Sequence, residues 1–476
     1  MGGQLMASIW QFVTDMATSS PTVRLDLNSN GMRVLLGWKL GPTLFEKGYA
    51  SSPLLHGKRP TRATGANQIL EIPVEINKST PALGAQAVED LVRQLAVDNI
   101  LKVQLDGHPN PVFYRTFGNA DFAAVVRTVL IQDATITLSI EAEPFAWGPR
   151  VSAGTFTVSN DPAAGTNPCR FDISSVQGDV PTPLLLVSTS TGSSGAPSGL
   201  VNKWSHIATR RRGTPSSYSN VIQAEDMTNG TDAADVVDSA FSNGNKVRIS
   251  FATNTTITPV RLSDTFPGNG TSTVEARGEY RVYGRMAMTT GTDTITVKLG
   301  YGTSSSAVIY NDAKVLPGVT NAVWVDLGLV PVPTFSDPVT SGYSGVATKA
   351  VLPFVGLYAS RSGSGNLDVD CLMFMPADDQ TLICKFPSTD TTYAIDGTTD
   401  AGGSVYGVTT ALDEVISTAL PPQIVGGGGF PELIPGQTNR IHFLRNVDPV
   451  GSADAITNTT TFAAYYWPRW REFTRP

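Results

Sequence analysis

Residues 128–150 read TVLIQDATITLSIEAEPFAWGPR, and their pattern decides the fold. From Ala134 onward, Ile136, Leu138, Ile140 and Ala142 alternate with Thr135, Thr137, Ser139, Glu141 and Glu143. A period of two puts each set on its own face of a strand, so one face is apolar and the other polar. Pro144 cannot donate to a ladder and Gly148-Pro149 breaks the chain, so the strand ends near Glu143 and a domain closes there.

Upstream, Val23, Leu25 and Leu27 alternate with Thr22, Arg24 and Asp26, and Asn28-Ser29-Asn30-Gly31 predicts a tight turn into 32–40, hence a β-hairpin. Leu70, Ile72, Val74 and Ile76 form a second half-buried strand. Pro73 lies among them and predicts an edge or a bulge. An exposed edge invites a neighbour, so these four residues are the candidate contact with an adjoining subunit. Thr80-Pro81 opens a helix whose Val88, Leu91, Val92 and Leu95 fall at helical spacing. Leu101, Val103 and Leu105 return as a strand, Asp106-Gly107 turns, and 112–117 follows. The first 150 residues thus read as an α+β domain, a β-sandwich with one covering helix.

At 476 residues the chain exceeds one ordinary core. Charged residues make up 16%, below the roughly 25% usual in globular chains, while 45 Gly and 32 Pro supply turns for many short strands. That balance predicts a mainly β protein. A net charge of −7 argues against a nucleic-acid groove, which needs clustered Lys and Arg. The one dense basic run, Arg210-Arg211-Arg212, reads as a solvated loop. Three cysteines, Cys169, Cys371 and Cys384, are too few and too odd in number for a disulfide framework, and they lack zinc spacing. The first basic residue is Arg24 and no apolar run reaches membrane-spanning length, so the expectation is folding in a cytosol without a signal peptide or membrane insertion.

Beyond 150 the chain carries no comparable helix. Residues 184–187 form a short apolar strand and 188–199 a Ser/Gly-rich loop. From Val221, short strands recur at 247–251, 280–286, 294–299, 322–327, 351–358 and 367–375 between Gly, Asn and Thr turns, as in a sandwich or jelly roll. Tyr465, Tyr466, Trp467 and Trp470 would be costly to leave in water, so the C-terminus is expected to dock. The expected division is 1–150, 151–387 with a module core at 221–376, and a β-rich segment 388–476 that packs back on the preceding domains.

The hairpin LNSNGMRVLLGW, the helix at 84–99 with NILKVQLDG, PVFYRTF, and above all AEPFAWGPR resemble the N-terminal ring domain of distal tail proteins of long-tailed bacteriophages, especially minor tail proteins of phages of actinobacteria. The resemblance continues at GDVPTP (178–183), IPGQTNRIHFL and YYWPRWR. It implies a structural virion protein at the distal end of the tail, assembled in the host cytoplasm. It also implies a homo-oligomeric ring, a hexamer, joined to tail tube protein, to tip and hub proteins and to the tape measure region. VIQAEDM, GEYRVYGRM and GNLDVDCLMF are similar to the first, central and last strands of jelly-roll carbohydrate-binding modules. In those modules a first-strand carboxylate and a last-strand Asp hold a structural calcium. The matching positions are Glu225 and Asp370, two carboxylates where calcium takes six to eight oxygens; surface carboxylates at strand ends are the alternative. A host cell-surface glycan would be met by aromatic platforms, for which Trp324, Tyr343 and Tyr358 are the candidates, with core packing as the alternative.

No catalytic constellation accompanies these features. The four histidines are dispersed, no GxSxG elbow or P-loop occurs, and Pro431 spoils the glycine run at 426–429 as a dinucleotide loop. No catalytic residue and no obligatory cofactor are therefore expected. The reading is a non-enzymatic ring component with a peripheral β module. A polysaccharide-degrading tail enzyme and a free glycan-binding adhesin are the alternatives.

Overall fold

The computed structural model describes residues 8–16, 21–40, 44–51, 58–106, 108–118, 133–159, 161–162, 169–189, 204–209, 220–251, 257, 259–266, 278–289, 294–316, 320–332, 334–336, 348–350, 352–363, 365–377, 381–385, 392–398, 404–408, 423–424, 429–447 and 459–471. The protein is mainly β, with antiparallel sheets and, among the described residues, one α-helix. The chain divides into two compact units. The first is Met1–Val151, Gln177–Thr182 and Tyr466–Pro476; the second is Ser152–Val176 and Pro183–Tyr465.

The first unit is built on the organising strand, Asp133–Ala142, which pairs along its whole length with Gln68–Asn77. Ile136, Leu138 and Ile140 share a buried face with Leu70, Ile72, Val74 and Ile76. The helix Pro81–Leu95 contributes Ala87, Val88, Leu91 and Leu95 to the same core. Thr80 caps it by accepting from Leu83 N, and Pro81 fills the first turn, where no amide partner is needed. Strand order across the sheet is Val23–Asp26, Ile9–Val13, Asn99–Gln104, Val112–Thr116, Asp133–Ala142, Gln68–Asn77, Met32–Val34.

Two expectations are corrected here. Strands Val23–Asp26 and Met32–Val34 do not pair with each other; they form the two ends of the sheet. Five residues between them span at most about 20 Å, so the sheet must curl to bring its ends that close. Asn28 directs the chain by accepting from Val34 N at 2.8 Å and donating to Ser8 O at 2.6 Å. The second correction concerns Pro73, whose strand is no edge: it has partners on both sides. Pro73 O accepts from Leu35 N. A strand residue presents its carbonyl and its nitrogen to the same side, so the missing donor faces the interruption between Met32–Val34 and Lys39–Leu40. Leu70, Ile72, Val74 and Ile76 point into the core and cannot also supply an exposed intersubunit contact.

In the second unit, strands from the two sides of residues 220–376 share sheets. Val151–Ser159 and Thr182–Thr189 join Thr392–Asp396, Ser404–Val408 and Thr459–Tyr466 in one sheet. Arg170–Ile173 and Trp204–Thr209 join Thr381–Lys385, Gln423–Ile424 and Asn439–Arg445 in another. The expected boundary at 387 lies outside the described residues; the strands on either side of it, Thr381–Lys385 and Thr392–Asp396, belong to these two sheets. The inserted module is a sandwich of its own. One sheet runs Ala233–Val237, Asn245–Ser250, Asn366–Pro376, Gly278–Met288, Val323–Val332, and the other Thr228–Asn229, Val260–Phe266, Leu352–Ser362, Thr294–Ser304, Ala307–Tyr310. Their inner faces meet in an apolar core that includes Phe266 stacked on Phe374.

The module's outer face packs on the surrounding sandwich through Cys169, Ala208, Tyr283, Trp324, Met373 and Leu444. Polar pairs lie within this contact. His206 Nδ1 is 3.0 Å from the Tyr283 hydroxyl and His442 Nδ1 is 3.1 Å from Asn220 Nδ2. All three cysteines are buried free thiols. Burial pushes the Cys169 thiol up to about 12.

Burial, with the nearby Arg281 charge, lowers the His206 pKa from 6.5 to about 3. The folded protein therefore holds this imidazole neutral, while the unfolded chain takes up a proton as pH falls through 6.5. Stability should fall with acidification between about 6.5 and about 3, with the unfolded state binding one proton more than the folded state. His206→Gln should flatten the slope of unfolding free energy against pH by about one proton in that window, as read from denaturant titrations at several pH values.

Candidate functional site

Three motif segments, two near residues 142–182 and the third at 465–471, converge in the first unit. Ala146–Trp147, from AEPFAWGPR, pairs with Arg469–Trp470, from YYWPRWR. The GDVPT stretch joins them, since Asp179 N donates to Arg469 O, Asp179 Oδ1 accepts from Arg471 N, and Pro181 O accepts from Arg469 Nη1. Thr182 Oγ1 donates to Trp467 O.

The centre of this junction is the Trp147 indole. Its Nε1 donates to Glu143 Oε2 at 2.8 Å. Two guanidinium groups lie over the ring, Arg115 at 4.7 Å and Arg469 at 4.6 Å, and Arg469 is also 4.5 Å from the Phe145 ring. Each such contact contributes on the order of 0.5–2 kcal/mol, more where water is excluded. The glycines in the motifs answer to space. A Cβ on Gly148 would sit 2.5 Å from the Trp470 ring, and one on Gly178, whose φ is +111°, would sit 2.7 Å from Arg469 O. The expected docking of the C-terminus takes this form, with Trp467 buried and its Nε1 donating to Met16 O. Arg115 was missed by sequence reasoning, which read 112–117 only as a following strand and as part of the PVFYRTF motif.

The residues expected to meet ligands lie elsewhere. Trp324 and Tyr358 are 2% and 3% exposed, so neither offers a ring face to a sugar. Trp324 packs in the contact between module and sandwich. Tyr343 lies outside the described residues. Among the described residues the Tyr310 ring remains open, 47% exposed, with Lys298 Nζ 3.9 Å from its centroid and the Tyr358 ring nearly perpendicular at 5.0 Å. Its neighbour on the paired strand is Gly300, which leaves room for both rings.

The calcium expectation meets an occupied carboxylate. Asp370 is fully buried; its Oδ1 accepts from Ser242 N at 2.9 Å and Ser242 Oγ at 2.6 Å, and its Oδ2 accepts from Arg285 Nη1. Glu225 Oε1 accepts from Asn243 Nδ2 at 3.2 Å. Burial raises the Glu225 pKa, and the Asp226 and Asp370 charges raise it further. No group of three or more His, Cys, Asp or Glu side chains among the described residues could hold a metal ion. The donor set around Asp370 therefore does not fit calcium, which takes six to eight oxygens. Arg285 was not singled out in the sequence, where it is one of two arginines in GEYRVYGRM.

No family model and no curated protein matches the chain. Among solved structures it is similar to the Dit protein of phage SPP1, described as a paradigm of the hub adsorption apparatus in phages infecting Gram-positive hosts. The TM-score is 0.30 at 9% identity, covering 97% of this chain and 99% of that one. The phage P2 baseplate in its activated conformation with calcium aligns with a TM-score of 0.27 at 8% identity, over 96% and 98%. An exo-β-1,3-galactanase from Phanerochaete chrysosporium aligns with a TM-score of 0.19 at 12% identity, over 77% and 100%. TM-scores this low do not define a common fold.

Gly178→Ala should strain both the backbone and the Arg469 carbonyl, at about 1–3 kcal/mol. Thermal unfolding should show a lower midpoint, and limited proteolysis should cut the last residues of the chain sooner than in the native protein.

Proposed function

We propose that the chain is a structural component of a bacteriophage tail tip, a distal tail protein whose first unit closes a ring beneath the tail tube. The observation that carries the reading is the convergence of AEPFAWGPR, GDVPT and YYWPRWR on Trp147. AEPFAWGPR is the motif that carries the resemblance above all, GDVPT and YYWPRWR are segments at which it continues, and they build one junction rather than three unrelated loops. In this reading the ring joins tube protein to hub proteins near the tape measure, and the role is assembly rather than catalysis.

A ring needs heterologous contacts, in which one surface of a subunit meets a different surface on the next. The hairpin of Leu44–Ser51 and Lys58–Ala66 supplies one. Among the described residues its strands pair only with each other. A two-stranded ribbon alone is marginally stable in water, and its outer edges carry backbone groups that can accept another strand. It replaces the strand around Pro73 as the subunit contact.

Light scattering on the full-length chain should give a multiple of 50.4 kDa, sixfold for a hexamer, alone or with tail-tube protein. A variant with 44–66 replaced by a short Gly-Ser link should stay monomeric. A full-length chain that is monomeric in both conditions overturns the ring.

A second role, contact of the inserted module with a host cell-surface glycan, is favoured by Tyr310. An open ring beside a cation suits the apolar face of a sugar and an acidic substituent. Tyr310→Ala should abolish retention on host cell-wall glycan without lowering the unfolding midpoint. Release of reducing ends from that glycan would instead support the polysaccharide-degrading alternative.

A further inference from the structure

The structure assigns to Arg285 the place of a divalent ion: the inserted module carries its own fixed cation at Asp370 and folds without metal. This inference does not rest on the tail reading.

Asp370 is the extra residue of a bulge. Arg285 pairs with Cys371 and Met286 with Val369, so Asp370 is left out of the register between them. A bulge re-aims its side chain, here onto the segment Ser242–Gly244. A carboxylate with no exposure must be paired or neutral. Arg285, itself 2% exposed, provides the pair on one oxygen, and Ser242 fills the other with its amide and hydroxyl. The segment that an ion would tie down is thus tied to the same carboxylate by protein groups alone.

The surrounding charges close without an added ion. Lys246 bridges Asp238 at 2.6 Å and Asp368 at 2.8 Å, and Arg248 meets Asp368 through Nε and Nη2 at 2.8 and 3.0 Å. Three carboxylates, Asp238, Asp368 and Asp370, therefore face three cations, Lys246, Arg248 and Arg285. The Phe241 ring lies between two of these cations, 4.7 Å from Lys246 Nζ and 5.8 Å from the Arg285 guanidinium carbon. Glu225, the other expected ligand, has its Oε1 taken by Asn243 Nδ2 at 3.2 Å.

The test is thermal unfolding of the full-length chain in excess EDTA and in excess calcium. The native midpoint should be the same in both. Arg285→Met should lower the midpoint by about 10 °C, because removing one partner strands a buried carboxylate. Adding Asp370→Leu to it should recover part of that loss, since an apolar pair of similar volume leaves no stranded charge. A native midpoint that rises with calcium and falls with EDTA overturns the assignment, as does an Arg285→Met variant as stable as the native chain. Should the single variant fail to fold, the EDTA and calcium comparison on the native chain still decides.

Discussion

Burial of one face of the long strand pair Gln68–Asn77 and Asp133–Ala142 is the constraint on which the first unit depends. Its register places Leu70 opposite Ile140, Ile72 opposite Leu138 and Val74 opposite Ile136. A slip of one residue would turn every one of these side chains outward, so the pairing admits one register. The helix then has one place to put Val88, Leu91 and Leu95. The remaining strands add outward from this pair, and the interruption opposite Pro73 shows how it tolerates a residue that cannot donate.

The second unit solves a different problem. Its sandwich is closed by strands that lie before and after the inserted module, as where Trp204–Thr209 pairs with both Thr381–Lys385 and Asn439–Arg445. Such contacts carry a high loop-closure cost unless the intervening chain is already compact. The module is compact in itself, with a core in which Val282, Leu299, Leu357 and Phe374 have no exposure. Its outer face then covers the sandwich through Tyr283, Trp324 and Met373, which explains why Trp324, which looked available for a ligand, is buried; Tyr358 is buried in the module's other sheet, beside Tyr310.

Several polar groups inside these contacts are paired across the chain, while Trp324 Nε1 and His206 Nε2 are buried without a hydrogen-bond partner among the described residues. His206 is kept neutral against the Tyr283 hydroxyl, and Asp370 is paired with Arg285. In the first unit, Trp147 is held by Glu143 through its nitrogen and by two arginines over its ring.

The sequence alone determined the period-two strands, the capped helix, the mainly β class and the aromatic docking end, because each depends on residues close together in the chain. Alternation at 134–143 and Thr80-Pro81 before an apolar stripe are local signals with local causes. Only the tertiary structure decided that the strands flanking Asn28 lie at opposite ends of a sheet, that the strand bearing Pro73 is interior, and that Arg285 rather than an ion sits on Asp370. The physical reason is the same in each case. Partner choice in a sheet and neutralisation of a buried charge are settled by residues far apart in sequence, and no periodicity records which of them will meet.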